Sequence, residues 1–141
     1  MSSLIYYPSK KDFEGLLKAI KNNPNSSFLK KYLPNVDSTW IERVIQKIEL
    51  VQFDYYPKDL YYQSAVLFYK INKAHSEIDS NKRSAILTTY FFLLLNNKVL
   101  LEPNKVRAMA KRIAKSKGRK NEDVWIKKIK IFLQLNTVDL I

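Results

Sequence analysis

Apolar residues recur at helical spacing along most of the chain. Within Lys10–Asn22, Phe13, Leu16, Leu17 and Ile20 fall on one face and predict a first amphipathic helix. The stretch between Pro24 and Pro34 is rich in turn residues and has room for one short helical turn. A second helix is expected to begin between Asp37 and Thr39. Thr39 and Glu42 are spaced as a capping box, and Ile41, Val44, Ile45 and Ile48 form the apolar face. A third helix is expected with Pro57 near its first position, because Leu60, Tyr61, Ser64, Leu67, Phe68 and Ile71 keep a 3.6-residue period up to His75. After a polar break, "SEIDS", an apolar helix runs to Asn96 and Asn97. Pro103 opens a fifth helix and Gly118 closes it, and Asn121 caps a sixth, whose first turn carries Glu122 and Asp123.

The pattern holds no repeat, low-complexity tract or long linker. It predicts an all-α fold, a compact single-domain bundle of about six helices spanning 1–141. The composition agrees: 46% hydrophobic residues, 13% aromatics and only two glycines favour helices over a β-sandwich. With no cysteine, disulfides, thiol chemistry and the usual structural zinc sites are excluded. That is compatible with a cytoplasmic protein. The amino terminus lacks an apolar signal-peptide core, and the longest apolar run, the 11 residues Ala85–Leu95, is too short to cross a bilayer. No membrane association is expected.

Charge adds a second layer. The chain carries a net +12, and from Lys105 to Lys120 there are eight basic residues and no acid. Partners of such a surface include nucleic acid, an acidic protein or anionic lipid. From sequence alone, a solvated face in a Lys-rich protein outweighs a dedicated binding stripe.

The chemistry concentrates in "KAHSEIDSNKRSAIL", residues 73–87, which holds the chain's single histidine. If one helix ends at His75 and the next starts near Ser80, with Asp79 or Ser80 as N-cap, then the N–H groups of Asn81, Lys82 and Arg83 open towards an anion. Lys82 and Arg83 add two cations, Arg suited to bidentate phosphate binding and Lys acting as a point charge. Asp79 is a hard oxygen ligand for magnesium. His75, with an ordinary pKa of about 6.5, is suited to take a proton from a hydroxyl at neutral pH. Together these are the parts for phosphoryl or nucleotidyl transfer. On spacing and chemistry alone, however, an ordinary capped helix start outweighs a phosphate site.

The order of residues changes that balance. "HSEIDSNKRSA" resembles the Fic/Doc family signature, His-x-Phe-x-(Asp/Glu)-(Gly/Ala)-Asn-(Gly/Lys)-Arg followed by Thr or Ser and Ala. His75, Asp79, Asn81, Lys82 and Arg83 fall at matching positions, with Ser84 and Ala85 after them. "YYPKDLYYQSAVLFYKINKAH" is similar to the family's Tyr-Pro turn and the helix that leads into the motif histidine. "FFLLLNN" and "VRAMAKRIAKSKGRKNEDVWIKKI" resemble the closing helices of the Doc (death-on-curing) toxin branch. The likeness covers about residues 55–135, while residues 1–50 look divergent.

The resemblance implies a Doc-like toxin of a bacterial toxin–antitoxin module, cytoplasmic, that uses ATP and Mg2+ to modify a hydroxyl of a target protein. The target implied is a translation elongation factor such as elongation factor Tu. By position, His75 is the general base and Asp79 the metal ligand. Ser80, Asn81, Lys82 and Arg83 form the nucleotide and phosphate site. AMP-transferring members usually carry Gly where this chain has Lys82, and Doc-type toxins carry Lys, which points to phosphoryl transfer. The alternatives are AMP transfer (AMPylation), or a catalytically impaired member acting as a basic binding protein, with nucleic acid a lesser candidate partner. Three residues or segments depart from the family. Glu77 replaces the Phe that plugs the motif loop into the core, leaving Ile78 or Phe91 to supply that contact. Ser80 replaces Gly or Ala. The Lys105–Lys120 segment is more basic than in Doc relatives, which matches an acidic antitoxin segment or target surface, or is solvated charge and nothing more. The family's inhibitory motif is not matched, because Arg43 follows Glu42 in "STWIER"; inhibition is expected to come from another chain, the antitoxin.

Overall fold

The computed structural model describes residues 4–23, 38–54, 56–73, 78–116 and 121–140. Six helices are present among them: α1 (Lys10–Asn22), α2 (Ser38–Phe53), α3 (Leu60–Asn72), α4 (Ile78–Leu94), α5 (Pro103–Lys115) and α6 (Glu122–Leu135). Two three-residue strands, β1 (Lys98–Leu100) and β2 (Thr137–Asp139), pair antiparallel with Val99 opposite Val138. The architecture is an all-α bundle with this small ribbon at one end.

Two helices form its centre. α4 is buried on every side from Ala85 to Thr89 and again from Phe91 to Leu93, which explains why its sequence is apolar throughout and lacks an amphipathic stripe. α3 packs on α4 and on α6 more extensively than any other pair of elements. Ser64 and Ala65 on α3, and Ala85, Thr88 and Thr89 on α4, are fully buried small side chains that let helix backbones come close. α5 turns Val106, Met109, Ala110 and Ile113 inward, the i, i+3, i+4, i+7 pattern of an amphipathic helix on a core.

α1 is held by a true capping box. The Ser9 hydroxyl accepts from the Asp12 N–H, and the Asp12 carboxylate accepts from the Ser9 N–H at 2.8 Å. Its buried face, Phe13, Leu17 and Ile20, reaches α2 and α4. Phe13 lies between the rings of Trp40, 6.1 Å away edge-on, and Phe91, 5.6 Å away.

Several helix boundaries differ from the expected ones. α3 begins at Leu60, not near Pro57, because the Asp59 side chain accepts from the N–H groups of Tyr61 and Tyr62 and so makes the cap. Pro57 stays outside the helix and offers its carbonyl to Gln63 Nε2 at 3.0 Å. α3 closes at Asn72 with Lys73 as C-cap, short of His75. Thr39 lies inside α2 and is not its cap. Asn121 does occupy the N-cap of α6, but its side chain makes no capping bond. α4 ends at Leu94, and Asn97, in the left-handed region at φ 66°, turns the chain into β1. The expected Gly118 stop and the turn between Pro24 and Pro34 lie outside the described residues. No helix among the described residues is long and apolar enough to cross a membrane.

Candidate functional site

The motif lies where α3 hands the chain to α4. His75 and Glu77 lie outside the described residues, as do the side chains of Asp79, Ser80 and Asn81. The backbone of these last three forms the first turn of α4, which starts at Ile78. This corrects the expected N-cap, since neither Asp79 nor Ser80 precedes the helix. The expected anion-facing N–H groups change with it: inside α4 those of Lys82 and Arg83 reach the carbonyls of Ile78 and Asp79, so these two residues offer no free backbone donors. Lys82 is half-buried and Arg83 exposed.

Immediately after them the motif turns into the core. Ser84 is half-buried and accepts from the Trp40 indole N–H at 2.8 Å, and Ala85 is fully buried. Trp40 comes from α2, so the N-terminal helices help to fix the rotation of α4 beside the motif. Sequence reasoning had no signal for this contact, because the two residues are 44 apart.

Of the two apolar side chains expected to support the motif segment, Phe91 is fully buried, and its ring packs on Phe13. It lies 13 residues beyond Ile78, which at 1.5 Å per residue is about 20 Å along the helix from the start of α4. The Ile78 side chain lies outside the described residues.

On the α3 side, two residues missed from sequence stand at the end of the helix that precedes the motif. Asn72 is buried; its amide donates to the Phe68 carbonyl at 2.8 Å, and its Oδ1 has no partner among the described residues. Lys73 donates from Nζ to the Ser116 carbonyl at the C-terminal end of α5. That contact places a cation where the α5 dipole favours one and ties α5 to the start of the motif loop.

At the far end of α4 a second set of polar groups holds the N-terminal segment and the ribbon. Asn96 accepts from the Tyr6 N–H at 2.8 Å and donates to the Tyr6 carbonyl at 2.9 Å, acting as a side-chain stand-in for a strand. An open cavity of about 580 Å³ lies there, lined by Leu4 to Tyr6, Lys58 to Tyr61 and Leu95 to Lys98. Burial would raise the Asp59 carboxyl, but the Lys130 ammonium at 3.0 Å and the N–H groups of Tyr62 and Tyr61 outweigh it and hold the group below its ordinary value. Lys98 is raised by its hydrogen bond to Asp139.

A third surface is cationic. Lys105, Arg107, Lys111, Arg112 and Lys115 of α5 are exposed, and none has an ion pair among the described residues. The Arg112 guanidinium lies 5.8 Å and the Lys128 ammonium 5.3 Å from the centre of the half-buried Trp125 ring, cation–π contacts that join α5 to α6.

Comparison with protein-family models, with curated proteins and with solved structures gave no match to this chain.

Proposed function

We propose that the chain is a Doc-like transferase that moves a phosphoryl group from ATP to a hydroxyl of a target protein. The carrying observation is the register of "HSEIDSNKRSA" on the helices: its middle forms the first turn of a long buried helix, and its end enters the core at Ser84 and Ala85. A helix start of this kind faces an anion with its positive dipole end, and Lys82 and Arg83, just beyond Asn81, bring two cations. In this reading His75 removes the proton from the attacking hydroxyl. Ser80 and Asn81 sit against phosphate oxygens, and Lys82 and Arg83 balance the charge that develops on them. The donor chemistry fits magnesium, because that ion is usually held by one or two carboxylates with phosphates and waters, and Asp79 is the motif carboxylate at the position that the resemblance assigns to the metal. Bound there, magnesium would neutralise phosphate charge.

The second reading is AMP transfer by the same residues, distinguished by Lys82, which stands where AMP-transferring members usually carry Gly. Incubation with elongation factor Tu and ATP labelled in the α or the γ position separates the two. Label from the γ position alone supports phosphorylation, and label from the α position supports AMP transfer. No label from either would leave a basic binding protein without the chemistry. An antitoxin with an acidic segment is the proposed inhibitor: expressed alone, the chain should be more toxic to a bacterial host than with its neighbouring gene, and equal toxicity would remove that part of the reading.

A further inference from the structure

We propose that the outer face of α5, continued by Lys128 of α6, binds the phosphodiester backbone of a nucleic acid without reading its sequence. The inference stands apart from the transferase reading, since it uses none of the motif residues.

The face is built as a row. Arg107, Lys111 and Lys115 follow at i, i+4 and i+8, all exposed, with a rise of about 6 Å from one to the next. Arg112 and Lys128 flank the row, gathered by the Trp125 ring. The arrangement carries a cost for the fold. Like charges at i, i+4 destabilise a helix, and Lys105 and Arg107 lie near the positive end of the α5 dipole, where Glu102 is the N-cap residue but no acid follows in the first turn; only Arg112 and Lys115, in the last turn, complement the dipole. Three acids elsewhere are paired with other cations: Asp59 with Lys130, Glu122 with Lys70 and Asp139 with Lys98. A polyanion would relieve the repulsion that the chain itself leaves in place.

The composition of the face favours nucleic acid over an acidic protein. Protein–protein interfaces are organised around buried apolar and aromatic anchors. The exposed residues of α5 are Pro103, Asn104, Lys105, Arg107, Ala108, Lys111, Arg112 and Lys115, with no large apolar side chain among them. Protein–nucleic acid interfaces are more polar and far more positively charged, and phosphate contacts by Lys and Arg need no apolar centre. The face has Asn104 only at its edge and no Gln or acidic side chain to read adenine or cytosine, and its Arg and Lys side chains form an exposed row suited to phosphates.

The test measures binding of the full-length chain to labelled mixed-sequence RNA and DNA oligonucleotides across a salt series. With four or five phosphate contacts, log affinity should fall against log salt with a slope of about −3 to −4, and scrambled sequences should bind alike. The triple variant Arg107→Gln/Lys111→Gln/Lys115→Gln should bind about tenfold or more weakly near 0.1 M salt, with the slope reduced by about 2 to 3. A charge-matched control on α1, Lys10→Gln/Lys18→Gln/Lys21→Gln, and His75→Ala should both leave affinity unchanged. The substituted side chains on α5 and α1 are exposed, and melting curves check that each variant folds; a single Lys111→Glu gives the same readout in a smaller perturbation. The proposal is overturned if the α1 control weakens binding as much as the α5 triple, or if affinity is indifferent to salt. It is equally overturned if polyglutamate of matched charge competes as well as the oligonucleotide, because the face would then be an acidic-protein site.

Discussion

The indole N–H of Trp40 donates to the Ser84 hydroxyl at 2.8 Å and so joins the N-terminal helices to the residue that follows the His75–Arg83 motif. Trp40 is nearly buried and its ring meets Phe13 edge-on, so the bond is made in a largely water-free setting. Trp40→Phe should cost about 1–3 kcal/mol from the lost bond, the stranded hydroxyl and some packing. Ser84→Ala should cost about 1 kcal/mol. Urea denaturation of both single variants and the double variant should give a coupling energy well above zero. Strict additivity would mean that the two groups do not meet in solution.

Arg83 separates function from fold. Its side chain is exposed, so Arg83→Ala should leave stability within about 0.5 kcal/mol of the parent. Under the transferase reading it should lower transfer by about tenfold or more, the worth of a charge-assisted phosphate contact. Thermal melts and labelled-ATP assays on one preparation check both halves, and an unchanged transfer rate would remove Arg83 from the site.

How much of this was legible differs between fold and motif. The periods of Phe13 to Ile20 and Val106 to Ile113 were plain because each helix lays one apolar face on the core. The start of α4 was misjudged because acids and Ser are favoured both at an N-cap and in the first turn, so "IDSN" does not reveal which position Asp79 holds. The ribbon was invisible for another reason. "KVL" and "TVD" are too short for an alternating pattern, and their pairing depends on the ends of α4 and α6 meeting. The Asp59 cap was masked by Pro57, a more familiar helix-start signal. The order of chemical residues from His75 to Arg83 could be read directly; the Trp40 and Lys73 contacts could not, since they join distant parts of the chain.

Acid should weaken the fold through Asp59 and Asp12. Burial raises the Asp12 carboxyl, but the Ser9 N–H, the Tyr6 hydroxyl and the Ser9 hydroxyl outweigh it and lower the group below 3.8; Asp59 is lowered by Lys130 and the Tyr62 and Tyr61 N–H groups. A carboxyl depressed in the folded state contributes stability that is fully present above its unfolded value and lost as pH falls through the folded one. Melting temperature should therefore hold above about pH 5 and fall below about pH 4. Asp59→Asn, which keeps a capping side chain, should flatten part of that fall; an identical acid profile would show that the Lys130 pair contributes nothing.

Asn96 is expected to control the N-terminal segment. Its side chain also donates to the Phe92 carbonyl at 2.8 Å, so one residue holds Tyr6 on both sides and anchors itself to α4. Asn96→Ala should cost about 1–2 kcal/mol and speed hydrogen exchange at the Tyr6 amide, while the amides of Phe68 and Leu87 in the core stay protected. Unchanged exchange at Tyr6 would mean that this pairing does not hold the segment.

The transferase reading meets its most direct test in single-turnover incubation of the chain with elongation factor Tu, magnesium and ATP labelled at the γ position, run beside His75→Ala. Label should pass to the target with the parent chain and disappear with the variant, whose melting temperature should match the parent's. Label at neither position of ATP, or undiminished transfer by His75→Ala, would contradict the assignment of His75 as general base.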